Sequence, residues 1–447
     1  MTIKCCLVLA IFISACTGPE DVDPAAEQPL RAALESSRPA NSEAADTVAS
    51  AAASQAHCRL PNNFPERDAL GSSTTFSVAG SIDLHNAFFE DLGTNGRSCG
   101  SCHKLGAGWT ISAADTRREF NATRGTAPIF RTVDGSNSPD ADVSTLRARR
   151  SAFSMLLNRG TIRVGIGMPD GADFELSAVD DPYGFASAAQ LSLFRRPLPA
   201  TNLAFGSGVM WDGRVTGAGF QDALAIQANG ATQGHAQRVT PLDQSTRDEI
   251  VAFETGLFTA QIFDREVGRL NADGGHGAAE DLASQALVAA RWDLFDVYQN
   301  SADPNYQAIY RGQELFNTRR RSDGKGPCQG CHSQSNVGTN VNGSFFNIGT
   351  SAGTRREADQ PLYTLTEIST GNLVQSTDPG RALITGKFAD VGRFKVPSLR
   401  SLGARAPYFH AGSARTLGDV VAFYSEALAF MFTADEAADM QAFLAAL

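Results

Sequence analysis

Two short segments of the chain place two cysteines and one histidine at the spacing that covalent attachment of haem c requires. Residues 99–103 read Cys-Gly-Ser-Cys-His, and residues 328–332 read Cys-Gln-Gly-Cys-His. In a CxxCH motif the two thiols form thioether bonds with the porphyrin, and the adjacent imidazole binds the iron. A zinc site built from the same cysteine pairs would leave both histidines without a role. We therefore expect two covalent haem c groups, bound by Cys99, Cys102, His103, Cys328, Cys331 and His332.

The composition is that of a soluble protein with room for two or three domains. The chain has 447 residues, of which 42% are hydrophobic, and its formal net charge is −10. This is enough apolar material to build sizeable cores. An acidic surface argues against nucleic acid as a partner and permits a basic redox protein.

The N-terminus predicts export and a lipid anchor. Lys4 precedes an apolar run that ends in Ile13-Ser-Ala-Cys16, which indicates a lipoprotein signal peptide over residues 1–15 and a lipid on Cys16. A cleaved signal peptide without lipid is the alternative. The apolar run is too short to span a bilayer. We expect a periplasmic protein, held at the outer membrane by its lipid alone.

A tether and one unassigned cysteine follow the lipidation site. Residues 16–57 contain no aromatic side chain and are rich in Ala, Pro, Ser and Glu, which predicts a disordered tether. Cys58 remains as a reactive or intermolecular thiol, or as a buried inert one.

Helical periodicity dominates the rest of the chain. It predicts amphipathic helices over residues 279–299, 306–316 and 417–428. A capping box at Thr433–Glu436 begins a closing helix. Residues 161–166 and 174–179 are different, because they flank the turn-forming Pro169-Asp-Gly171 and predict a β-hairpin.

These elements predict a mainly α fold with two cytochrome c-type domains, each holding one haem. The first domain is expected over residues 58–290 and the second over 291–447. The hairpin belongs to an insertion near residues 130–195 in the first domain.

Further motifs resemble those of the bacterial di-haem cytochrome c peroxidase/MauG family. The similar segments, with both CxxCH motifs, span about residues 90–447 and are Trp211-Asp-Gly-Arg214 with Gln221, Phe394-Lys-Val-Pro-Ser-Leu-Arg400, Ala406-Pro-Tyr-Phe-His-Ala-Gly412, Thr416-Leu417 and Tyr424. The insertion has no counterpart in the compact members. The resemblance implies that the haem on His103 reacts with peroxide and that the haem on His332 relays or stores electrons.

The resemblance also implies roles for individual side chains. Trp211 would lie between the haems as an electron-hopping station, although a packed core tryptophan is the alternative. His410 would pack near the haems. The sixth ligand of the second iron would be Tyr424, fourteen residues later, with Met431 and His410 as competitors.

The sequence departs from the family pattern at the first haem. An acidic residue is expected about ten positions after Gln221, but none follows Asp222 before His235. His235 lies near the missing acid's place and could transfer protons, because an imidazole gains and loses a proton near neutral pH. A structural histidine and a ligand that blocks the iron are the alternatives. No histidine lies between His103 and His235, which favours an open first iron as in the MauG-like branch.

The expected partners are hydrogen peroxide and a small cytochrome c or cupredoxin that donates electrons. A calcium ion between the domains is doubtful, because Arg195-Arg196-Pro197 stands where the family has an asparagine ligand. Two other functions remain open: a MauG-like oxidase that modifies a partner protein, and a non-enzymatic di-haem electron carrier.

Overall fold

The computed structural model describes residues 59–447, which fall into two compact units. In the first unit, strand β1 (Arg59–Pro61) pairs antiparallel with strand β4 (Ser81–Asp83). The second unit contains residues 62–80 and 86–447, and with them both CxxCH motifs. The signal peptide, the lipidation site Cys16, the tether and Cys58 lie outside the described residues.

The helices of the second unit include those that flank the second motif. The α-helices are α1 (Ala113–Thr123), α2 (Leu146–Ala152), α3 (Ser154–Arg159), α4 (Phe220–Gly234), α5 (Gln244–Thr255), α6 (Ala279–Ala283), α7 (Pro304–Thr318), α8 (Ala382–Thr385), α9 (Leu417–Ala427) and α10 (Ala434–Ala445). The expected helices over residues 306–316 and 417–428 are confirmed as α7 and α9. The capping box is also confirmed, because Thr433 and Glu436 exchange side-chain to backbone hydrogen bonds at the start of α10.

The prediction of one helix over residues 279–299 is wrong. The chain is helical at α6 and forms a 3-10 turn at Asp296–Asn300, with no helix between them. Two side chains of α7 explain the difference: Asn317 accepts a hydrogen bond from the N–H of Trp292 at 3.0 Å, and Gln313 accepts one from the N–H of Phe295 at 2.9 Å. These bonds replace the helical ones, so the apolar side chains reach the core from an irregular segment.

Strands form several small antiparallel sheets in the second unit. The remaining strands are β2 (Pro65–Arg67), β3 (Gly71–Ser77), β5 (Ile162–Ile166), β6 (Phe174–Asp180), β7 (Leu191–Arg195), β8 (Leu257–Asp264), β9 (Gly268–Arg269), β10 (Phe345–Phe346), β11 (Leu362–Glu367), β12 (Leu373–Ser376) and β13 (Phe394–Lys395). Of residues 59–447, 33% are helical and 17% lie in strands, so this part of the chain is more mixed than a mainly α fold.

The predicted β-hairpin is wrong: both of its strands exist, but they do not pair with each other. Strand β5 pairs with β7, and β6 pairs with β11, which lies after the second CxxCH motif. The sheet order is β12, β11, β6. The segment expected to form an insertion in the first domain therefore bonds to the C-terminal part of the chain.

The main core surrounds the approach to the second motif. Helices α7 and α10 cross closely at Gly312, where a Cβ atom would lie 2.0 Å from the carbonyl oxygen of Asp439. Phe316 of α7 packs on Phe443 of α10, with ring centroids 5.4 Å apart. The fully buried Trp292 donates its indole N–H to the carbonyl of His332 at 3.1 Å. The packed helices thus fix the backbone of the second motif.

Candidate functional site: two CxxCH sites

The two CxxCH motifs have the same local backbone. Each starts with a 3-10 turn, Cys99–Ser101 in the first and Cys328–Gly330 in the second. The N–H of His103 donates to the carbonyl of Cys99 at 2.9 Å, and the N–H of His332 donates to that of Cys328 at 3.1 Å. One tight turn therefore holds the thiols and the imidazole of each motif close together.

Both imidazoles are oriented through Nδ1. His103 Nδ1 lies 3.1 Å from the carbonyl oxygen of Trp109, and His332 Nδ1 lies 2.6 Å from that of Gly338. A carbonyl only accepts, so Nδ1 carries the hydrogen and Nε2 remains free to bind iron. Burial lowers the pKa of each histidine to about 4, although the backbone hydrogen bond opposes this, so both rings are neutral, which is the form that binds a metal.

A glycine makes the second histidine's acceptor possible. Gly338 has a φ of +77°, and a Cβ atom there would lie 2.8 Å from Leu399 Cγ. A side chain at this position would strain the backbone and displace its neighbour.

The second motif opens into a cavity of about 540 Å³. This volume lies within the range of about 300–1,000 Å³ that is typical of ligand and cofactor sites. Cys328, Cys331 and His332 line the cavity. The apolar lining includes Phe316, Phe346, Ile348, Val396, Leu399, Leu402, Leu417, Val421, Leu428, Phe430, Met440 and Leu444.

Three cationic side chains in the same lining lack an acidic partner among residues 59–447. Arg196 Nε and Arg405 Nε and Nη2 are buried without any hydrogen-bond partner, and Lys395 Nζ donates only to the carbonyl of Gly208 at 2.7 Å. Burial lowers the pKa of Arg405 to about 9 and that of Lys395 to about 8. Unpaired buried cations are costly. A covalent haem, which carries two propionate groups, fits this cavity in charge, and the largely apolar lining suits its macrocycle.

The three candidates for the second iron's sixth ligand are placed differently. Tyr424 lines the cavity, and burial, with the nearby Cys328 and Cys331, raises the pKa of its phenol above the usual range. Met431 is 70% exposed and does not line the cavity. His410 is buried in the lining, where its Nε2 has no hydrogen-bond partner.

Met440 lines the same cavity from α10, and sequence reasoning missed it. Its position in a regular apolar helix pattern gave no signal of a ligand.

Trp211 and His410 meet in this cavity lining. Their ring centroids are 6.2 Å apart, and the His410 ring stacks on Phe394 at 4.0 Å. The indole N–H of Trp211 donates to the carbonyl of Arg196 at 2.8 Å. The structure therefore brings two predicted site residues to the second motif; electron hopping through Trp211 stays a prediction.

The first motif lies against aromatic side chains. Phe88 is fully buried, and its ring centroid is 6.2 Å from that of His103 and 5.9 Å from that of Trp109. Glu254 is also buried here, and burial raises its pKa to about 8. Burial raises the pKa of Cys99 most, and the charge of Glu254 raises it further, so Glu254 and Cys99 are close together. Sequence reasoning missed this acid, because nothing local distinguishes it from a surface glutamate.

His235 lies at the C-terminal end of α4, beside the first motif. Its Nδ1 is hydrogen-bonded to Asp134, and its side chain is 38% exposed. Asn95 Nδ2 donates to its carbonyl at 2.8 Å. The pKa of His103 is lowered mainly by burial and, to a smaller extent, by the charge of His235. The two histidines therefore lie within electrostatic range of each other.

Gln221 is not close to His235. It is exposed in the first turn of α4, at the opposite end of the helix from His235. A helix of this length separates its two ends by about 20 Å. The structure does not bring the two residues together, and a catalytic role for Gln221 stays a prediction.

The described residues do not fit a calcium ion near Trp211. Arg195 is buried and lies between the two carboxylates that could bind one: its Nε and Nη2 donate to Asp378 at 2.6 and 2.9 Å, and its Nη1 pairs with Asp212. Within residues 59–447 no group of three or more His, Cys, Asp or Glu residues could hold a metal ion. A guanidinium thus occupies the place between the acids.

We expect calcium chelation to have no effect. EGTA should leave the absorption spectrum and the unfolding temperature unchanged. Arg195→Ala should instead destabilise the protein by about 3–5 kcal/mol, because it leaves the buried Asp378 without its cationic partner, while Asp212 keeps Arg214. Thermal unfolding measures the effects of EGTA and of Arg195→Ala on stability, and absorption spectroscopy measures the effect of EGTA on the spectrum. A stability loss in EGTA that added calcium restores would contradict this prediction.

Haem content gives the most direct test of the motifs. The denatured protein should exceed its polypeptide mass by two haems. Replacing Cys99 and Cys102 with alanine should remove one haem, and replacing Cys328 and Cys331 should remove the other. Intact mass and haem-stained denaturing gels measure this, and a parent protein carrying one haem or none would contradict it.

Comparisons with known proteins find distant relatives by sequence. No protein-family model matches the chain. The chain is 28% identical over 265 residues to the cytochrome-c peroxidase IdrP2 of Denitromonas iodatirespirans, covering 56% of this chain and 67% of the relative. It is 27% identical over 245 residues to the methylamine utilization protein MauG of Methylophilus methylotrophus, covering 54% and 61%.

A solved MauG-like protein associated with microbial copper homeostasis aligns over 81% of this chain and 86% of its own, with 16% identity and a TM-score of 0.40. From the sequence matches, the chain is a distant homologue of the di-haem cytochrome c peroxidases and MauG. The chain spans about 60% of the length of several of these relatives. Among residues 59–447, no helix has the length and apolar character needed to cross a membrane.

Proposed function

We propose that the protein is a periplasmic di-haem c oxidoreductase that reduces hydrogen peroxide at the first site with electrons relayed through the second. The observation that carries this proposal is the asymmetry of two otherwise equal motifs. His103 has a half-exposed imidazole, His235, within electrostatic range, whereas His332 faces a largely apolar cavity. Peroxide chemistry needs an accessible proton-transfer group beside the haem. Electron transfer instead favours a haem site that is closed to solvent.

The balance of the proposed reaction is simple. One hydrogen peroxide takes up two electrons and two protons and yields two water molecules. The electrons come from a small cytochrome c or cupredoxin that binds the acidic protein. Haem, when bound, supplies the redox chemistry, and the chain's own residues hold it, exclude water from the second cavity and move protons at the first site. A lipid on Cys16 would hold the protein at the membrane.

A second candidate is a MauG-like oxidase that modifies a partner protein. Tyr424 in the lining of the second cavity favours it. An anionic phenolate ligand stabilises higher oxidation states of iron more than a thioether does, which suits storage of oxidising equivalents.

Electron paramagnetic resonance of the ferric protein, combined with peroxide titration, tests the proposal. We expect one high-spin and one low-spin iron and the oxidation of two equivalents of reduced donor per peroxide. Two low-spin irons and no peroxide reaction would instead identify a non-enzymatic electron carrier. Rapid peroxide consumption without any donor turnover would favour the protein-modifying oxidase.

A further inference from the structure

We propose that Asp134, held by Arg97, is a positioning residue that orients His235 for proton transfer at the first site. This inference rests on the proposed function, because it concerns how that site handles peroxide. One carboxylate oxygen of Asp134 is hydrogen-bonded to His235 Nδ1, and the other pairs with Arg97 Nη1. Arg97 lies two residues before Cys99, so the chain of contacts starts at the first motif itself.

Arg97 and Asp134, the two residues of this chain of contacts that support His235, are held rigidly. Arg97 Nε donates to the carbonyl of Pro128 at 2.8 Å, and its Nη2 donates to that of Ile129 at 2.7 Å. The side chains of Arg97 and Asp134 are 3% and 6% exposed. A buried charge pair with its hydrogen bonds satisfied has little freedom to reorient. Asp134 is therefore a fixed acceptor.

The charge on Asp134 supports the same role. Burial would raise the pKa of this carboxyl, but the hydrogen bond and charge of His235 and the charge of Arg97 outweigh burial and hold the pKa below its usual value. Asp134 is therefore ionised at neutral pH. An ionised acceptor on Nδ1 selects the ring form in which Nδ1 carries a hydrogen.

The consequence concerns the other ring nitrogen. With Nδ1 bound to Asp134, Nε2 of His235 is the atom that can exchange a proton, and the ring is exposed enough for peroxide to reach it. Nε2 would take the proton from one peroxide oxygen and return it to the other, so that the O–O bond breaks with its electron pair on the oxygen that leaves as water. The two electrons that the remaining oxygen then lacks would come from the haem when it is bound. No proton is consumed by the shuttle. A carboxylate that fixes the tautomer and orientation of an acid–base histidine is a recurrent arrangement in enzymes.

Asp134→Asn tests the inference, since it keeps the shape of the side chain and removes its charge. We expect the variant to react at least tenfold more slowly with hydrogen peroxide. Its rate with peracetic acid, whose leaving group needs less protonation, should fall less than threefold. In a His235→Ala background, Asp134→Asn should add nothing further. Asp142→Asn, a change at an exposed aspartate of the same segment, is the matched control and should behave as the parent.

Equal slowing with both peroxides, or additive effects in the double variant, would overturn the inference. If Asp134→Asn does not fold, because Arg97 is left unpaired, the combination Arg97→Met with Asp134→Leu replaces the pair with apolar side chains and carries the same expectations. Either result from that variant decides the question.

Cyanide binding separates this inference from the proposed function. Hydrogen cyanide must give up its proton to bind ferric iron, so an oriented base should accelerate its binding. We expect Asp134→Asn and His235→Ala to slow cyanide binding to a similar extent, as followed by absorption spectra. If peroxide is not reduced but cyanide binding shows this coupling, the proposed function fails and the positioning role stands. Unchanged cyanide binding in both variants would overturn the positioning role.

Discussion

Replacing His235 with alanine is expected to slow the reaction of the ferric protein with hydrogen peroxide by about 10²-fold or more, which is the usual effect of removing a general acid–base group. The reason is that His235 is the half-exposed imidazole beside the first motif, with its Nδ1 held by Asp134. Both haems should stay attached. Stopped-flow absorption measures the rate, and haem-stained gels check the attachment.

The control for this variant is His276→Ala, because His276 is an exposed histidine for which neither sequence nor structure suggests a role. It should react at the parent's rate. An unchanged rate in His235→Ala would mean that His235 is structural. A new high-spin signal in that variant would show instead that His235 had been an iron ligand, and the electron-carrier function would gain support.

Glu254 provides an independent check on the identity of the proton-transfer group. It is buried near Cys99 with a pKa raised to about 8, so it is protonated at neutral pH and could also donate a proton. We expect Glu254→Gln, which keeps the size of the side chain, to have a smaller effect than His235→Ala. The reverse order would assign proton transfer to Glu254.

The sequence predicts what depends on local chemistry. Each CxxCH motif contains its own turn, its thiols and its imidazole within five residues, so its chemistry is visible without a fold. Helices α7, α9 and α10 are likewise predicted, because apolar periodicity and a capping box are local signals.

Features that depend on distant residues are not visible in the same way. Strand β6 looks like half of a hairpin, but its partner β11 lies beyond the second motif. The apolar pattern after α6 looks helical, but Gln313 and Asn317 on α7 bond its backbone instead. A short pattern cannot tell a local pairing from a distant one.

The same limit applies to the sites. Asp134 is 101 residues from His235 in the chain, and only the fold brings the two together. Arg196 and Arg405 lie on separate segments and meet only at the second cavity. Buried charged groups of this kind break the rule that cores are apolar, and they therefore mark function only after the structure shows their burial.

Tyr424→Phe is expected to change the low-spin ferric signal of the second haem into a different species, because it removes the phenol from the cavity that Cys328, Cys331 and His332 line. Burial raises the pKa of this phenol, so without a metal it stays protonated at neutral pH. A bound cation reverses that preference and favours the phenolate. Electron paramagnetic resonance and absorption spectra at neutral pH measure the change.

Two methionine variants make the test of Tyr424 specific. Met431→Leu should leave the spectrum of the second haem unchanged, since Met431 is 70% exposed and outside the cavity lining. Met440→Leu keeps the apolar lining and should also leave it unchanged. If Met440→Leu or His410→Ala, rather than Tyr424→Phe, alters the low-spin signal, the second iron has a thioether or a second imidazole as its ligand. An anionic ligand would then be absent, and the case for storage of oxidising equivalents, and with it the MauG-like oxidase, would lose its support.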